Sequence, residues 1–154
     1  MLRRGFRIYI GAILLLCAGA GCRSQLDTGI DRAPRSKSKV EPVVVTDATF
    51  QMDVLESTQP VLVDFWSARC PPCLEMKPAI RALAADFIGR ATIAQLDVDE
   101  NPATAEEYGV RELPAVLIFQ NGKIAKRLTG LQTKEQLAHA LSDAWSADPE
   151  IDRE

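Results

Sequence analysis

Single-sign charge, long apolar runs and metal-ligating side chains are all scarce in this sequence, and each scarcity removes a class of function. Formal charge over the 154 residues is −3, and the basic residues of the folded part are interspersed with acids. Phosphate binding needs Lys and Arg clustered on one face, so nucleic acid is excluded as a partner. The uncharged stretch Ile8–Ala20 is thirteen residues long, short of the roughly 20 that cross a bilayer core comfortably. One histidine, His139, and four cysteines make up the whole supply of imidazole and thiolate ligands. No internal repeat is visible. What remains is ordinary for a folded protein: 47% hydrophobic and 25% charged residues, with room for one domain and a targeting segment.

The first segment differs from the rest. Arg3, Arg4 and Arg7 precede the apolar stretch, and small residues follow it. That order of basic, apolar and small residues reads as a secretory signal peptide over residues 1–21. A membrane-anchor helix is the alternative, and the length weighs against it. Ala20-Gly21-Cys22 resembles the lipobox of bacterial lipoproteins, although Gly19 stands where Leu is common. The resemblance implies that Cys22 receives lipid and becomes the mature N-terminus. Ordinary cleavage, leaving Cys22 a free or paired thiol, is the competing reading. Arg3-Arg4 also resembles a twin-arginine export motif but lacks the usual preceding Ser or Thr, so general secretion is expected. The expected location is outside the cytoplasm: membrane-attached by lipid, facing the periplasm or the cell exterior. Cys17 would leave with the signal, and Cys70 and Cys73 would remain as a pair.

Residues 22–42 are rich in Arg, Ser, Lys, Asp and Pro. They bury too little apolar surface to offset their ordering entropy, so a flexible tether is expected, reaching roughly 25 Å. A folded domain is expected over residues 43–147, with a disordered tail over 148–154. Val43-Val44-Val45 is a short β-branched run. Asp47 or Thr49 would cap a short helix through Leu55. Val61–Trp66 is apolar except for Asp64, the pattern of a strand buried on both faces. A long helix to about Phe87 follows, with Pro78 expected to kink it. Ile93–Val98 reads as a strand, and Pro102 opens a helix that Gly109 ends. Ala115–Phe119 and Ile124–Leu128 flank Asn121-Gly122, a hairpin signal. Thr133 to Gln136 is a capping box for a last helix with Leu137, Leu141 and Trp145 inward. The order is βαβαβαββα, an α/β fold.

Cys70-Pro71-Pro72-Cys73 falls where the apolar strand passes into the long helix. Unpaired N–H groups and the dipole at a helix N-terminus favour a thiolate. A free thiol titrates near ~8.5, and such placement lowers it to about 3.5–7.5. The spacing lets Cys73 reach Cys70, close a disulfide and expel a substrate thiol. A CxxC alone also fits a zinc site or an inert structural disulfide. Zinc needs four ligands, and only Cys22 and the distant His139 remain, so no metal is expected. A loop this short closes little chain entropy, which makes it a poor staple.

Val63 through Cys73 resembles the active-site strand and turn of the thioredoxin family. The likeness continues in order through Pro78, Asp99-Glu100-Asn101-Pro102, Tyr108-Gly109-Val110, Leu113-Pro114-Ala115, Phe119 to Lys123 and Gly130. It covers about residues 43–147 and implies a thioredoxin fold, a central mixed sheet flanked by helices. It further implies exchange of the Cys70–Cys73 dithiol/disulfide with protein substrates and an upstream redox partner, by a monomer with no cofactor beyond that disulfide. Cys70 would attack and Cys73 resolve. Pro114 would be a cis-proline facing the disulfide, and Leu113 would offer backbone hydrogen bonds to substrate. Trp66 would pack near the disulfide, and Asp64 would be the buried acid that takes the proton of Cys73 through water.

Three departures from the family pattern bear on the chemistry, and a fourth on the surface. Arg69 replaces the usual Trp and adds positive charge beside the thiolate. Pro71-Pro72 replaces Gly-Pro and removes a backbone donor. Gln95 replaces a lysine that often partners the buried acid, which leaves Asp64 without a cation. Leu74, in place of a common Lys, makes the surface more apolar. A protein-disulfide reductase is the first expectation, with an envelope oxidase or isomerase, or a non-catalytic binding module, as alternatives. Trp145 is expected to pack in the core, His139 to be solvated, and Asp97, Asp99 and Glu100 to form a helix-capping loop rather than a metal site.

Overall fold

The structure, a computed structural model, describes residues 40–146. The signal segment, Cys22, nearly all of the expected tether and the tail after residue 146 lie outside the described residues.

The strands are β1 (Val43–Val44), β2 (Val61–Trp66), β3 (Thr92–Asp97), β4 (Ala115–Gln120) and β5 (Lys123–Thr129). The helices are α1 (Pro71–Asp86), α2 (Pro102–Glu107) and α3 (Lys134–Ser146), and a short π-helical segment, Gln51–Leu55, follows β1. With that segment counted, the order is the expected βαβαβαββα. The strands form one sheet in the order β1-β3-β2-β4-β5. β3 lies parallel to both β1 and β2, while β4 is antiparallel to β2 and β5.

β2 is flanked on both edges, and its first five residues are buried. Side chains alternate between faces along a strand. Val61, Val63 and Phe65 therefore join Val45, Phe50, Val54, Leu96, Leu117 and Phe119 on one face. Leu62 points the other way, into a cluster with Met76, Ile80 and Leu83 of α1 and Leu137 and Leu141 of α3. Asp64 and Trp66 share the parity of Leu62. The one acid of the strand thus lies on the face that α1 covers.

α1 passes Pro78 without interruption, although that residue has no N–H to offer the Leu74 carbonyl. The capping box forms reciprocally: the Thr133 N–H donates to Gln136 Oε1 at 2.8 Å and the Gln136 N–H to Thr133 Oγ1 at 3.3 Å.

Two local expectations are corrected. Asp47 does not cap the helical segment that follows it. Its carboxylate accepts the N–H groups of Thr104 at 2.9 Å and Ala103 at 3.3 Å, and so caps α2 from across the fold. Asn101 returns the contact, accepting the Asp47 N–H at 2.9 Å. Thr49 instead closes a local turn, accepting the Thr46 N–H at 3.1 Å. Trp145 is only half-buried. The inward stripe of α3 is Leu137, Ala140, Leu141 and Ala144, and position 145 falls on its edge beside Phe87 and Arg90.

The β4–β5 hairpin turns on Asn121 (φ 50°) and Gly122 (φ 72°). A Cβ on Gly122 would stand 2.9 Å from the Leu55 carbonyl oxygen, a backbone atom with little freedom to move. Gly122→Ala is expected to cost about 1–3 kcal/mol through the strained φ and this clash. Urea unfolding would register it as a lower midpoint at unchanged slope.

Candidate active site

β2 ends at Trp66, and the turn Ser67–Arg69 delivers Cys70 as the N-cap residue of α1. Cys70 is extended (φ −107°, ψ 99°), as an N-cap must be. Its sulfur forms a disulfide with Cys73, with the two Cα atoms 5.3 Å apart. The two sulfurs differ in access: Cys70 is partly exposed and Cys73 fully buried.

Pro71 and Pro72 occupy the first two positions of α1 and have no N–H. Of the N–H groups in that turn, Cys73 donates to Cys70 Sγ at 3.2 Å and shares the bond with the Cys70 carbonyl at 3.1 Å. Leu74 N–H goes to the Cys70 carbonyl at 3.2 Å. The helix N-terminus therefore aims one backbone donor at the sulfur.

Arg69 does not stand as free positive charge beside Cys70. Its guanidinium is held by Asp99 at 2.5 Å. Ser67 Oγ donates to the other Asp99 oxygen at 2.6 Å and accepts the Arg69 N–H at 3.1 Å. Hydrogen bonds from Arg69 and then Ser67 hold the Asp99 carboxyl below its usual range, and the same pairing raises the Arg69 guanidinium. Sequence reasoning assigned Asp99 to a capping loop and missed this role. Asp97 does make the local turn, accepting the Asp99 N–H at 3.0 Å.

Asp64 has no exposed surface. In register it lies between Gln95 of β3 and Val116 of β4. Gln95 Nε2 donates to its Oδ2 at 3.1 Å, while Oδ1 is buried with no hydrogen-bond partner. Burial pushes its pKa up from 3.8 to about 6, against smaller lowering effects from the Gln95 hydrogen bond and the charge of Lys77. As expected, Asp64 forms no ion pair among the described residues, and the charge of Lys77 acts on it only through space. Lys77 sits on α1 with its Nζ 3.4 Å above the centroid of the half-buried Trp66 ring. Lys77 carried no motif signal; its spacing of one helical turn from Cys73 was the only cue.

The Leu113–Pro114 peptide is cis. Ala115 pairs with Phe65, which sets Pro114 opposite the Trp66 end of β2, the end from which the cysteines extend. Pro114 is buried and Leu113 half-buried. Around the disulfide, Pro71 and Arg69 are exposed, Pro72 is half-buried and Leu74 is 45% exposed. Among the described residues, no group of three His, Cys, Asp or Glu side chains is placed to hold a metal ion.

A redox-active disulfide at the N-terminus of a helix, with one accessible and one buried sulfur, is the working centre of a thiol–disulfide oxidoreductase. The thioredoxin family profile, described as Thioredoxin, matches residues 41–143, and the chain belongs to that family. It is 45% identical over 98 residues to Thioredoxin 2 of Chlorobaculum tepidum, covering 64% of this chain and 90% of that protein. It is 46% identical over 99 residues to a thioredoxin of Staphylococcus aureus, covering 64% and 93%. A thioredoxin of Mycobacterium tuberculosis is 42% identical over 105 residues, covering 68% and 90%. The chain is a thiol–disulfide oxidoreductase acting on protein disulfides, and its redox group is its own disulfide.

Burial of Asp64 gives an unusual pH dependence. Because its folded-state pKa lies above 3.8, folding takes up a proton between about pH 4 and 6. Stability therefore falls as pH rises through that window and levels off above it. A shift of about two units corresponds to about 3 kcal/mol. Asp64→Asn keeps an acceptor for Gln95 and removes the charge. It is expected to match the parent near pH 4 and to exceed it by about 2–3 kcal/mol above pH 7. Urea unfolding of both oxidised proteins across pH would read the difference.

Proposed function

We propose that this chain works in the cell envelope as a monomeric, lipid-anchored reductase of protein disulfides. The observation that carries the reaction direction is the poverty of thiolate stabilisation at Cys70. One backbone N–H reaches its sulfur, two prolines offer none, and the Arg69 charge is matched by Asp99. A dithiol whose thiolate form is weakly stabilised gives up its electrons readily, the reverse of the strong oxidants whose reduced form is favoured. The same features count against the oxidase reading.

In the proposed cycle the Cys70 thiolate attacks one sulfur of a substrate disulfide. A Cys70–substrate bond forms, the substrate S–S bond breaks, and one substrate thiolate leaves to take a proton from solvent. Cys73 then passes its proton through water to Asp64 and attacks Cys70 Sγ. The Cys70–Cys73 bond forms, the mixed disulfide breaks, and the second substrate sulfur departs as a thiolate that takes a proton from solvent, while Asp64 gives the Cys73 proton back to solvent. Two electrons have moved from the dithiol to the substrate, and an upstream dithiol partner must return them. Unequal exposure of the two sulfurs supports the order of attack. Leu113 and Pro114 would pair an extended substrate segment, with Trp66, Arg69, Pro71 and Pro72 as its surroundings.

The proposed location rests on the sequence before residue 23: the arginines, the apolar stretch and Ala20-Gly21-Cys22. Among the described residues no helix is long and apolar enough to cross a membrane. Lipid on Cys22, with residues 23–42 as tether, would hold the domain at the surface.

Two experiments test these assignments. Cys70→Ser should abolish reduction of insulin disulfides, whereas Cys73→Ser should accumulate mixed disulfides at Cys70, resolved by mass spectrometry. Equal trapping by both variants would overturn the division of roles. Cys22→Ala should release the full chain from membranes with soluble activity intact. A variant that stays membrane-bound with its N-terminus uncleaved would identify a helical anchor instead.

A further inference from the structure

The face of β2 that α1 covers carries Leu62, Asp64 and Trp66 in succession. Residues two apart on one strand face stand about 6.5–7 Å from each other. The Trp66 ring therefore lies one step from the buried carboxylate, toward the cysteines. Lys77 stands one helical turn beyond Cys73 on α1, half-buried, with its ammonium 3.4 Å above the ring centroid. An ammonium over an indole face is held by the ring quadrupole, most strongly when partly desolvated. Trp66 thus fixes a lysine that would otherwise sweep through solvent.

Charged groups near Asp64 on the other packed elements do not compete with this cation. From β3 come neutral Gln95 and, in register with Trp66, Asp97, whose carboxylate accepts the Asp99 N–H and so serves the loop. From β4 comes Val116. α3 turns Leu137, Ala140, Leu141 and Ala144 toward the core. From α1 the charge that acts on Asp64 is that of Lys77. One oxygen of Asp64 is buried without a hydrogen-bond partner, so a cation's field is a compensation still open to the carboxylate.

We propose that Lys77 is a positioning residue for the exchange reaction: held over the Trp66 ring, it supplies from α1 the positive charge that keeps Asp64 an acceptor for the proton of Cys73. The charge acts through space on the carboxylate and touches neither sulfur nor substrate. It lowers the Asp64 pKa, opposing the larger effect of burial. Without it the carboxylate would be protonated over more of the neutral range, and Cys73 would keep its proton longer in the resolving step. This role rests on the reading of Asp64 as the base.

The experiment compares the parent with Lys77→Met and Lys77→Arg. Asp64 is titrated in the oxidised proteins by carboxyl carbon NMR. Release of thionitrobenzoate from a Cys70 mixed disulfide is followed across pH in the reduced-Cys73 form. Lys77→Met should raise the Asp64 titration by about half a pH unit or more, and the acid limb of release should move up by the same amount. Lys77→Arg should restore both. An Asp64 titration unchanged in Lys77→Met, with the fold intact by circular dichroism, overturns the proposal and leaves Lys77 packing on Trp66. If Asp64 moves but release keeps its pH profile in every variant, the reading of Asp64 as base fails. The electrostatic coupling would stand, and the positioning role would fall.

Discussion

One carboxylate sealed at the centre of the sheet constrains much of what surrounds it. A charge without access to water must be neutralised, hydrogen-bonded or matched by an opposite charge. In this chain each remedy is partial. Gln95 satisfies one oxygen of Asp64, burial raises its pKa to about 6, and a lysine from a different element supplies the field. The register fixes the first remedy, since Asp64 and Gln95 are cross-strand partners in a parallel ladder. Helix phase fixes the third, because Cys73 and Lys77 fall on neighbouring turns of one helix face. An acid near neutrality is less stable than an apolar side chain would be in that place.

The disulfide depends on a second local arrangement, the passage from β2 into α1. Ser67 accepts the Arg69 N–H, its carbonyl accepts the Cys70 N–H at 3.1 Å, and its hydroxyl binds Asp99. That single serine holds the turn to the loop after β3, so the loop's acid reaches Arg69. A positive side chain beside a reactive sulfur thereby loses much of its electrostatic consequence. Pro71 and Pro72 act in the same direction by a different route, trading backbone donors for a stiffer first turn. The first effect offsets the charge beside Cys70, and the second leaves it a helix end poorer in hydrogen bonds.

Much of this was legible in the residues. The unbroken apolar run of β2 announced a strand buried on two sides, and Asp64 within it announced a functional or paired acid. Asn121-Gly122 and the Thr133 capping box specified their turns through local chemistry, which a linear reading captures well. What escaped depended on contacts between distant segments. Asp47 looked like the cap of the nearest helix, yet it caps α2, 56 and 57 residues away. Asp99 looked like part of a loop, yet its partners are Ser67 and Arg69, 32 and 30 residues back. Trp145 failed for a smaller reason: the small Ala144 is the inward residue, and hydrophobicity alone overrated its bulky neighbour.

Lys77 is the most instructive of these omissions. The absence of a lysine at position 95 suggested an acid with no cationic neighbour, because that reasoning looked along the sheet. Approached through the packing, the carboxylate has two sides, and the helix side was open to a long, flexible cation. A lysine alone would lose several rotors on being fixed there. The Trp66 face reduces the number of places its ammonium can rest, and it does so on the residue two along from the acid. The same indole lies on β2 between the acid and the turn that leads to Cys70, with the Lys77 ammonium over its face. A lysine carried on α1 lies on the same helix as Cys73, whereas a charge at position 95 would lie on β3.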